Sequence, residues 1–359
     1  MTVSAPAGSG DYGLLGRLIG NSREVYDRLQ TLTAQAGSGR IADAFSGLAA
    51  GGMTSLTVAP ALARQQAWVG NINAASARMQ VAQTALSAIS DIASSFYAST
   101  STLNGLNPGN VDSLAAGARD ALRQVAGLLD ARDGDVYVFA GQDSATPPVP
   151  DPDGIISSSY MGQIQAAVGA LAGSGAAATL TATMATATSN AAGTSPFSAQ
   201  VSGTGAALRP TVQVGEGQFV ATGIVAGTNG DVASTGASTS GSYIRDIMRG
   251  LATLGSLTSG QIGAGGFAAL VADTRAALGG AIGALNADAG VMGDRQTRMQ
   301  TDKTTMASVT IALQSQMSAA TDVDMATTLS QMSRVQTQLQ ASYQLIASIQ
   351  SLSLVKYLS

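Results

Sequence analysis

The chain has 359 residues, a formal net charge of −4 and a charged fraction of 11%, against about 25% in an average soluble domain. It contains no cysteine and no histidine, which excludes disulfides, thiolate metal sites, cysteine nucleophiles and the commonest general base. Its 18 basic residues form no run, whereas binding to nucleic-acid phosphates requires clustered Lys and Arg. We therefore predict no catalytic site, no cofactor, no metal ion and no nucleic-acid partner.

Two further features bear on where the protein resides. No apolar stretch approaches the roughly 20 residues that span a bilayer, so we expect no membrane insertion. Residues 1–10 lack the basic and apolar regions of a signal peptide. If the protein leaves the cell, we expect it to do so without a cleaved signal peptide.

The first predicted helix covers residues 14–32, where apolar positions follow a heptad pattern with alternating steps of three and four. Its positions are Leu15, Leu18, Ser22, Val25, Leu29 and Leu32. The run Gly37-Ser38-Gly39 ends this helix. Residues 40–60 are Gly-rich and irregular, which predicts a loop with room for one short helix.

Two more helices and a strand are predicted before the middle of the chain. A long helix covers about residues 61–103, with another heptad face, and a second covers about residues 111–132. Residues 136–140 are β-branched and aromatic, which predicts a strand.

The middle of the chain has a different composition. Four prolines between residues 147 and 152 mark a boundary, and Arg209 and Glu216 are the only charges between residues 155 and 230. Alternating pieces at 211–214 and 218–220 predict strands, and 161–171 is compatible with a short helix. Disorder is the competing interpretation, but the high net charge that usually accompanies it is missing. We predict a small β-rich insertion.

Helical periodicity returns at about residue 242 and again from about residue 265 to the end. The last region is weakened near 279–280 and 289–290, and a break near Thr321-Asp322 fits a helix N-cap. Beyond the break, apolar positions again recur in steps of three and four. They are Met325, Leu329, Met332, Val335, Leu339, Tyr343, Ile346, Ile349 and Leu352.

The two terminal segments each carry an apolar stripe that needs cover, and the simplest solution pairs them. We therefore predict a mainly α fold, in which both chain ends form a long antiparallel helical rod or coiled coil with a small β-rich inserted domain. The predicted segments are an N-terminal helix (1–40), a helical segment containing the strand (41–146), the inserted domain (147–241), a returning helical segment (242–320) and a C-terminal helix (321–359).

Four stretches carry a resemblance to a known family. They read SGRI (38–41), NINAA followed by QTAL (71–75, 83–86), VYVFAG (136–141), and QASY followed by SLSLVKYL (340–343, 351–358). In this order they resemble the flagellin superfamily, and within it the hook-associated protein of the hook–filament junction. The strand is more typical of that junction protein than of flagellin.

The resemblance implies a structural subunit of the bacterial flagellum, exported through the flagellar channel, with both terminal helices in the axial core. The implied partners are copies of itself, the hook-side junction protein, flagellin and an export chaperone. We predict that assembly uses the terminal heptad positions. These are Leu15, Leu18, Val25, Leu29, Leu32, Met325, Leu329, Met332, Val335, Leu339, Tyr343, Ile346, Ile349 and Leu352.

Several alternatives stay open. The terminal stripes could pair only within one chain, or also between subunits. The protein could be flagellin itself, or a secreted helical adhesin or translocator of another class. An enzyme that uses carboxylates alone is formally possible, although no pair of Asp or Glu lies in a recognisable setting for it.

Overall fold

The computed structural model describes residues 9–42, 48, 50–103, 108–202 and 209–358. This part of the chain is mainly α-helical, as predicted. In chain order its elements are α1 (Ser9–Ser38), α2 (Ala50–Ser99), α3 (Pro108–Leu129), β1 (Arg132–Asp133), β2 (Val136–Tyr137), α4 (Ser159–Gly169), α5 (Leu171–Thr188), α6 (Ala199–Ser202), β3 (Thr211–Gly215), β4 (Gln218–Ala221), α7 (Tyr243–Gly255), α8 (Phe267–Thr321) and α9 (Met325–Leu358).

The chain divides into two compact units. The terminal unit contains residues 1–66 and 307–359, and the central unit contains residues 67–306. Both boundaries fall inside long helices, in α2 and in α8. The division into five segments made from the sequence is finer than this and stays a prediction.

In the terminal unit, α1 packs against α9. The two helices are antiparallel, because residues at the end of α1 hydrogen-bond to residues just before α9. The amide of Ile41 donates to the carbonyl of Thr321 at 2.7 Å, and the amide of Val323 donates to the carbonyl of Gly39 at 3.0 Å. The predicted pairing of the two chain ends is therefore confirmed.

Helix α2 begins about eleven residues earlier than the predicted residue 61, and it runs through Pro60. A proline inside a helix costs about 3 kcal/mol, because it removes one hydrogen bond and crowds the preceding turn. Tertiary packing offsets this cost. Ser55 and Val58 are buried, and a Cβ on Gly51 would lie 2.5 Å from the carbonyl oxygen of Ala320. The predicted loop over 40–60 is thus replaced by helix from Ala50 onward.

The core of the central unit surrounds α7, whose 13 residues are all buried. Helices α3, α4 and α5 pack against it. Side chains from the flanking helices and from the inserted region, such as Leu122, Ile164, Val214 and Leu278, belong to one contiguous cluster. The inserted region therefore shares its core with the helices on either side of it in the sequence.

The inserted region contains the predicted sheet, since β3 and β4 pair as antiparallel strands with an irregularity between Gln213 and Gly215. Helix α4 matches the short helix allowed near 161–171. Helix α5 was not predicted, because its Thr-rich sequence favours strands. Its buried Thr179 and Thr186 donate their hydroxyl protons to carbonyls four residues earlier. These bonds satisfy the hydroxyls within the helix and make their burial possible.

The predicted strand over 136–140 is only partly right. Strand β2 covers Val136–Tyr137 and pairs with β1. The chain then turns inward, so that Val138 and Phe139 are buried. The carbonyl of Phe139 accepts a hydrogen bond from the amide of Ala226 instead of continuing the strand pairing.

Helix α8 continues through the glycines that were expected to weaken it. A Cβ on Gly279 would lie 3.1 Å from the ring of Tyr97, and one on Gly280 would lie 3.0 Å from the carbonyl oxygen of Thr235. Glycine at these positions allows close packing rather than ending the helix. By length and composition alone α8 could cross a membrane, but 44% of its most apolar window is buried inside the protein. Buried core helices pass the same test, so the absence of membrane insertion stays a prediction.

Candidate functional site

The structure separates the predicted terminal heptad positions into three groups. Leu32, Val335 and Leu339 are buried, the last two at 6% and 8% exposure. Met325, Leu329 and Tyr343 are exposed at 41%, 46% and 54%. The partly buried positions are Leu18, Val25, Leu29, Met332, Ile346 and Ile349. The side chains of Leu15 and Leu352 lie outside the described part of the chain.

An inner stripe joins α1 to α9. We use this name for the buried residues Ser22, Leu32, Thr328, Val335 and Leu339. The hydroxyl of Thr33 donates to the sulfur of Met332 at 3.9 Å, which puts the last turns of α1 beside the first turns of α9. The structure thus shows α1 paired with α9 within one chain, and the use of the heptad positions in assembly stays a prediction.

An outer stripe remains uncovered. We use this name for Ile19 and Tyr26 on α1 and for Met325, Leu329 and Tyr343 on α9, all of which are exposed. Ile19 and Tyr26 are one heptad apart, and Leu329 and Tyr343 are two heptads apart, so the members on each helix share a face. Each helix therefore carries a second apolar face that its partner helix does not cover.

The same unit exposes apolar side chains on its other two helices. Met53 and Leu56 on α2 and Val309 and Ile311 on α8 are exposed; we call these four the exposed α2/α8 residues. Among the large hydrophobic side chains that the described residues expose, all but Phe219 belong to the terminal unit. Soluble monomers rarely expose large apolar patches, and such patches mark interaction sites.

The terminal unit has few charges around the exposed apolar residues of α2, α8 and α9, whereas Arg17, Arg23, Asp27 and Arg28 lie close in sequence to Ile19 and Tyr26 on α1. Residues 50–63 and 307–321 contain no charged side chain, and Arg334 is the only one between residues 325 and 355. Burying a charge in an interface requires a partner and costs desolvation energy. The apolar and neutral side chains exposed on α2, α8 and α9 avoid most of that cost, so these surfaces are suited to burial.

The start of α9 is fixed by its first residues. Asp324 is the helix N-cap, because its Oδ1 accepts hydrogen bonds from the amides of Ala326 at 3.0 Å and Thr327 at 3.3 Å. The hydroxyl of Thr327 donates to Oδ2 at 2.8 Å. These hydrogen bonds from Thr327 lower the pKa of the Asp324 carboxyl. The predicted break and N-cap near residue 321 are confirmed.

Residues 276–358 match the bacterial flagellin C-terminal helical region. The match covers most of α8 and all of α9, and it therefore includes the C-terminal half of both stripes. It shows that this part of the chain is similar to the C-terminal helical region of bacterial flagellins. No curated protein matches the chain.

The predictions from sequence missed the α1 members of the outer stripe. Ile19 and Tyr26 each follow a predicted heptad position by one residue, so a second heptad pattern shifted by one was present in the sequence. The exposed residues of α2 were missed for another reason. The segment around Pro60 was assigned to a loop, and a loop has no helical periodicity from which an exposed face can be predicted.

The central unit has a cluster of buried charges, but its role is to hold a loop. Asp288 accepts hydrogen bonds from the amides of Gly230 and Asp231 and from the hydroxyl of Tyr243, at 2.7–2.8 Å. Asp246 accepts from the hydroxyl of Ser234 and the amide of Ser240. Both carboxylates thus bind the segment that precedes α7.

A buried arginine completes this cluster. Arg245 donates to the carbonyls of Gly227 at 2.7 Å and Ala187 at 2.8 Å, and to the side-chain oxygen of Asn190 at 2.7 Å. Ala187 lies at the end of α5, so the arginine caps that helix. Burial raises the pKa of Asp246 and lowers that of Arg245. The groups are engaged in structural hydrogen bonds, and we assign them no chemistry.

Proposed function

We propose that the protein is a structural subunit of the bacterial flagellum that assembles through its terminal helices. The observation that carries the proposal is the outer stripe, which lies on a helix pair whose C-terminal member matches the flagellin C-terminal region. A neighbouring copy would cover that stripe. Removal of apolar surface from water supplies about 25 cal/mol for each Å², and the low charge of α9 keeps the desolvation cost on that helix small.

We further propose that the outer stripe of one copy contacts the exposed α2/α8 residues of another. The outer stripe and the exposed α2/α8 residues involve different helices. Contact between unlike surfaces on identical subunits is heterologous, and it generates rings or open helices rather than closed dimers. A helical arrangement of many copies is therefore the assembly that these surfaces favour.

The finer role that we propose is to join hook and filament. It rests on the resemblance of residues 136–141 and of the C-terminal tail to the junction protein. The partners would be copies of the chain, the hook-side junction protein, flagellin and an export chaperone. The protein would be extracellular, would reach the flagellum without a cleaved signal peptide, and would have no enzymatic activity.

A role as the filament subunit, flagellin, is the alternative that shares this fold. The two roles differ in abundance, since a filament contains far more copies of its subunit than a junction does. Quantitative mass spectrometry of purified flagella tests both. We expect the chain to be present at a small fraction of the amount of filament protein. If it is the most abundant protein, the filament role is right, and if it is absent, the flagellar proposal fails.

A further inference from the structure

Two helix breaks lie side by side in the terminal unit. Helix α1 ends at Ser38, and α8 ends at Thr321, shortly before α9 begins. The segments at these ends, residues 39–41 and 321–323, are joined by the two backbone hydrogen bonds described above and by an antiparallel bridge between Arg40 and Asp322. We call these six residues the clasp.

Each half of the clasp is anchored to its own helix. Gly39 has a φ of 71°, which favours glycine, and its amide donates to the carbonyl of Gln35 at 2.8 Å. The side-chain amide of Gln35 donates to the carbonyl of Ile41 at 2.8 Å. On the other side, Thr321 is buried, and its hydroxyl donates to the carbonyl of Met317 at 2.9 Å. The clasp therefore connects two ends that are already fixed in position.

The side chains between α1 and α9 define their register only weakly. Heptad stripes can slip by one repeat, and a buried polar pair or an ion pair is the usual means of preventing this. Within the described residues no ion pair joins α1 to α9. The inner stripe itself contains small polar residues, Ser22 and Thr328, beside its apolar members. Backbone hydrogen bonds, by contrast, are lost on a slip of a single residue.

We propose that the clasp sets the register of α1 against α9 and couples the folding of the two helices. The helices are far apart in the sequence, so bringing them together costs loop-closure entropy. Once the clasp has formed, both helices extend from one fixed point, and each further turn pairs with a near neighbour. A slip of one heptad would move one helix along the other by about 10 Å, given a rise of 1.5 Å per residue.

The natural absence of cysteine allows register to be read by crosslinking. In the full-length chain we expect T33C/M332C to form an intrachain disulfide under mild oxidation, because these two side chains are in contact. The pair T33C/M325C reports a slip of one heptad and should remain reduced. Replacing Val323 by proline removes the amide that donates to Gly39. It should lower the yield of the first crosslink at least five-fold.

Replacing Met325 by proline is the matched control for the proline substitution at Val323. This residue follows the N-cap Asp324, at the position where proline is tolerated in a helix. M325P should leave the T33C/M332C crosslink intact. Hydrogen exchange in V323P should speed up over 9–38 and 325–358, with residues 72–129 still protected. Equal crosslink yields in V323P and M325P would overturn the proposal, and so would a V323P variant that loses protection throughout the chain.

Discussion

The two units of this protein share an Ala-rich, charge-poor composition, yet they use it in opposite ways. The central unit buries every residue of α7, including three charged side chains that hydrogen-bond to neighbouring loops. The terminal unit leaves Leu329 and Tyr343 exposed on a helix that buries Val335 and Leu339. Among the described residues, the central unit thus covers its large apolar side chains with the exception of Phe219, whereas the terminal unit retains apolar faces that its own described helices leave exposed.

This difference gives a way to separate folding from assembly by mutation. A residue of the inner stripe, or of the central core, should matter for the stability of the monomer. A residue of the outer stripe should matter for assembly and hardly for the monomer.

The largest effect is expected from Leu339→Asp in the inner stripe. A carboxylate at this buried position has no described partner, and burying it costs several kcal/mol or forces its protonation. We expect α1 and α9 to unfold together, with loss of helical signal in circular dichroism and fast hydrogen exchange over both helices. Assembly should be lost as well.

Gln338→Asp is the control for this variant. It introduces the same charge one residue away, at an exposed position, and surface changes of this kind usually stay within about 0.5 kcal/mol. Equal stability of the two variants would contradict the inner stripe.

A smaller effect is expected from Asp288→Ala in the central unit. The change leaves two loop amides and the hydroxyl of Tyr243 without their acceptor. Each buried group left unpaired costs about 1–3 kcal/mol, partly recovered if water enters. We expect a loss of about 2–4 kcal/mol in urea unfolding. Asp288→Asn, which retains one acceptor oxygen, should lose less, and an unchanged stability in Asp288→Ala would mean that the loop is held by other contacts.

The loss of stability of the central unit at acidic pH should come from Asp231. Hydrogen bonds from Arg209 and Arg295, at 2.8 Å and 2.6 Å, hold the pKa of its carboxyl well below the usual range. Its contribution to stability is therefore present above the unfolded pKa of about 3.9. It is lost as the pH falls through the lower folded value.

Asp246 should change the pH dependence of stability in the opposite direction. Burial raises its pKa, so its charged form opposes folding, and stability falls as the pH rises from about 3.9 through the folded value. Asp231→Asn should flatten the loss of stability below about pH 4, measured by urea unfolding at a series of pH values. An unchanged acid limb in this variant would exclude Asp231 as its source.

The sequence predicted some parts of this structure well for identifiable reasons. The helices α1, α3, α7 and α9 have clear periodicity and are bounded by Gly, Pro, Ser or Asp, whose local chemistry ends or caps helices. The predicted start of α2 was wrong because the packing of Gly51 against Ala320 outweighs the tendency of Pro60 to interrupt a helix. Helix α5 was missed because its threonines are suited to a helix only when their hydroxyls bond within it.

The limits of prediction at the candidate site have a different origin. Periodicity identified the helical face to which Leu329 and Leu339 belong, but it gave no means of telling them apart. A helix stripe is wide enough to touch two neighbours, and only the position of α1 decides which residues it covers. The distinction between the inner and outer stripes therefore required the structure.

The smallest effect on monomer stability is expected from Leu329→Asp in the outer stripe. This variant is the most direct test of the difference between the inner and outer stripes. The side chain is 46% exposed, so in the monomer the new carboxylate remains in water and the free energy of unfolding should change by less than about 0.5 kcal/mol. In an assembly the same carboxylate would be buried against a neighbouring copy without a partner, at a cost of several kcal/mol.

We therefore expect Leu329→Asp to fold normally and to fail to assemble, which separates it from Leu339→Asp, for which both properties fail. Urea unfolding of the monomer and electron microscopy of concentrated protein measure the two properties independently. Arg334→Asp provides the control for added negative charge on α9 away from the outer stripe, and it should assemble. If Leu329→Asp assembles as well as the unmodified protein, the outer stripe is not an interface. If it unfolds like Leu339→Asp, then Leu329 contributes to the pairing of α1 and α9, and the inner and outer stripes are not separate surfaces.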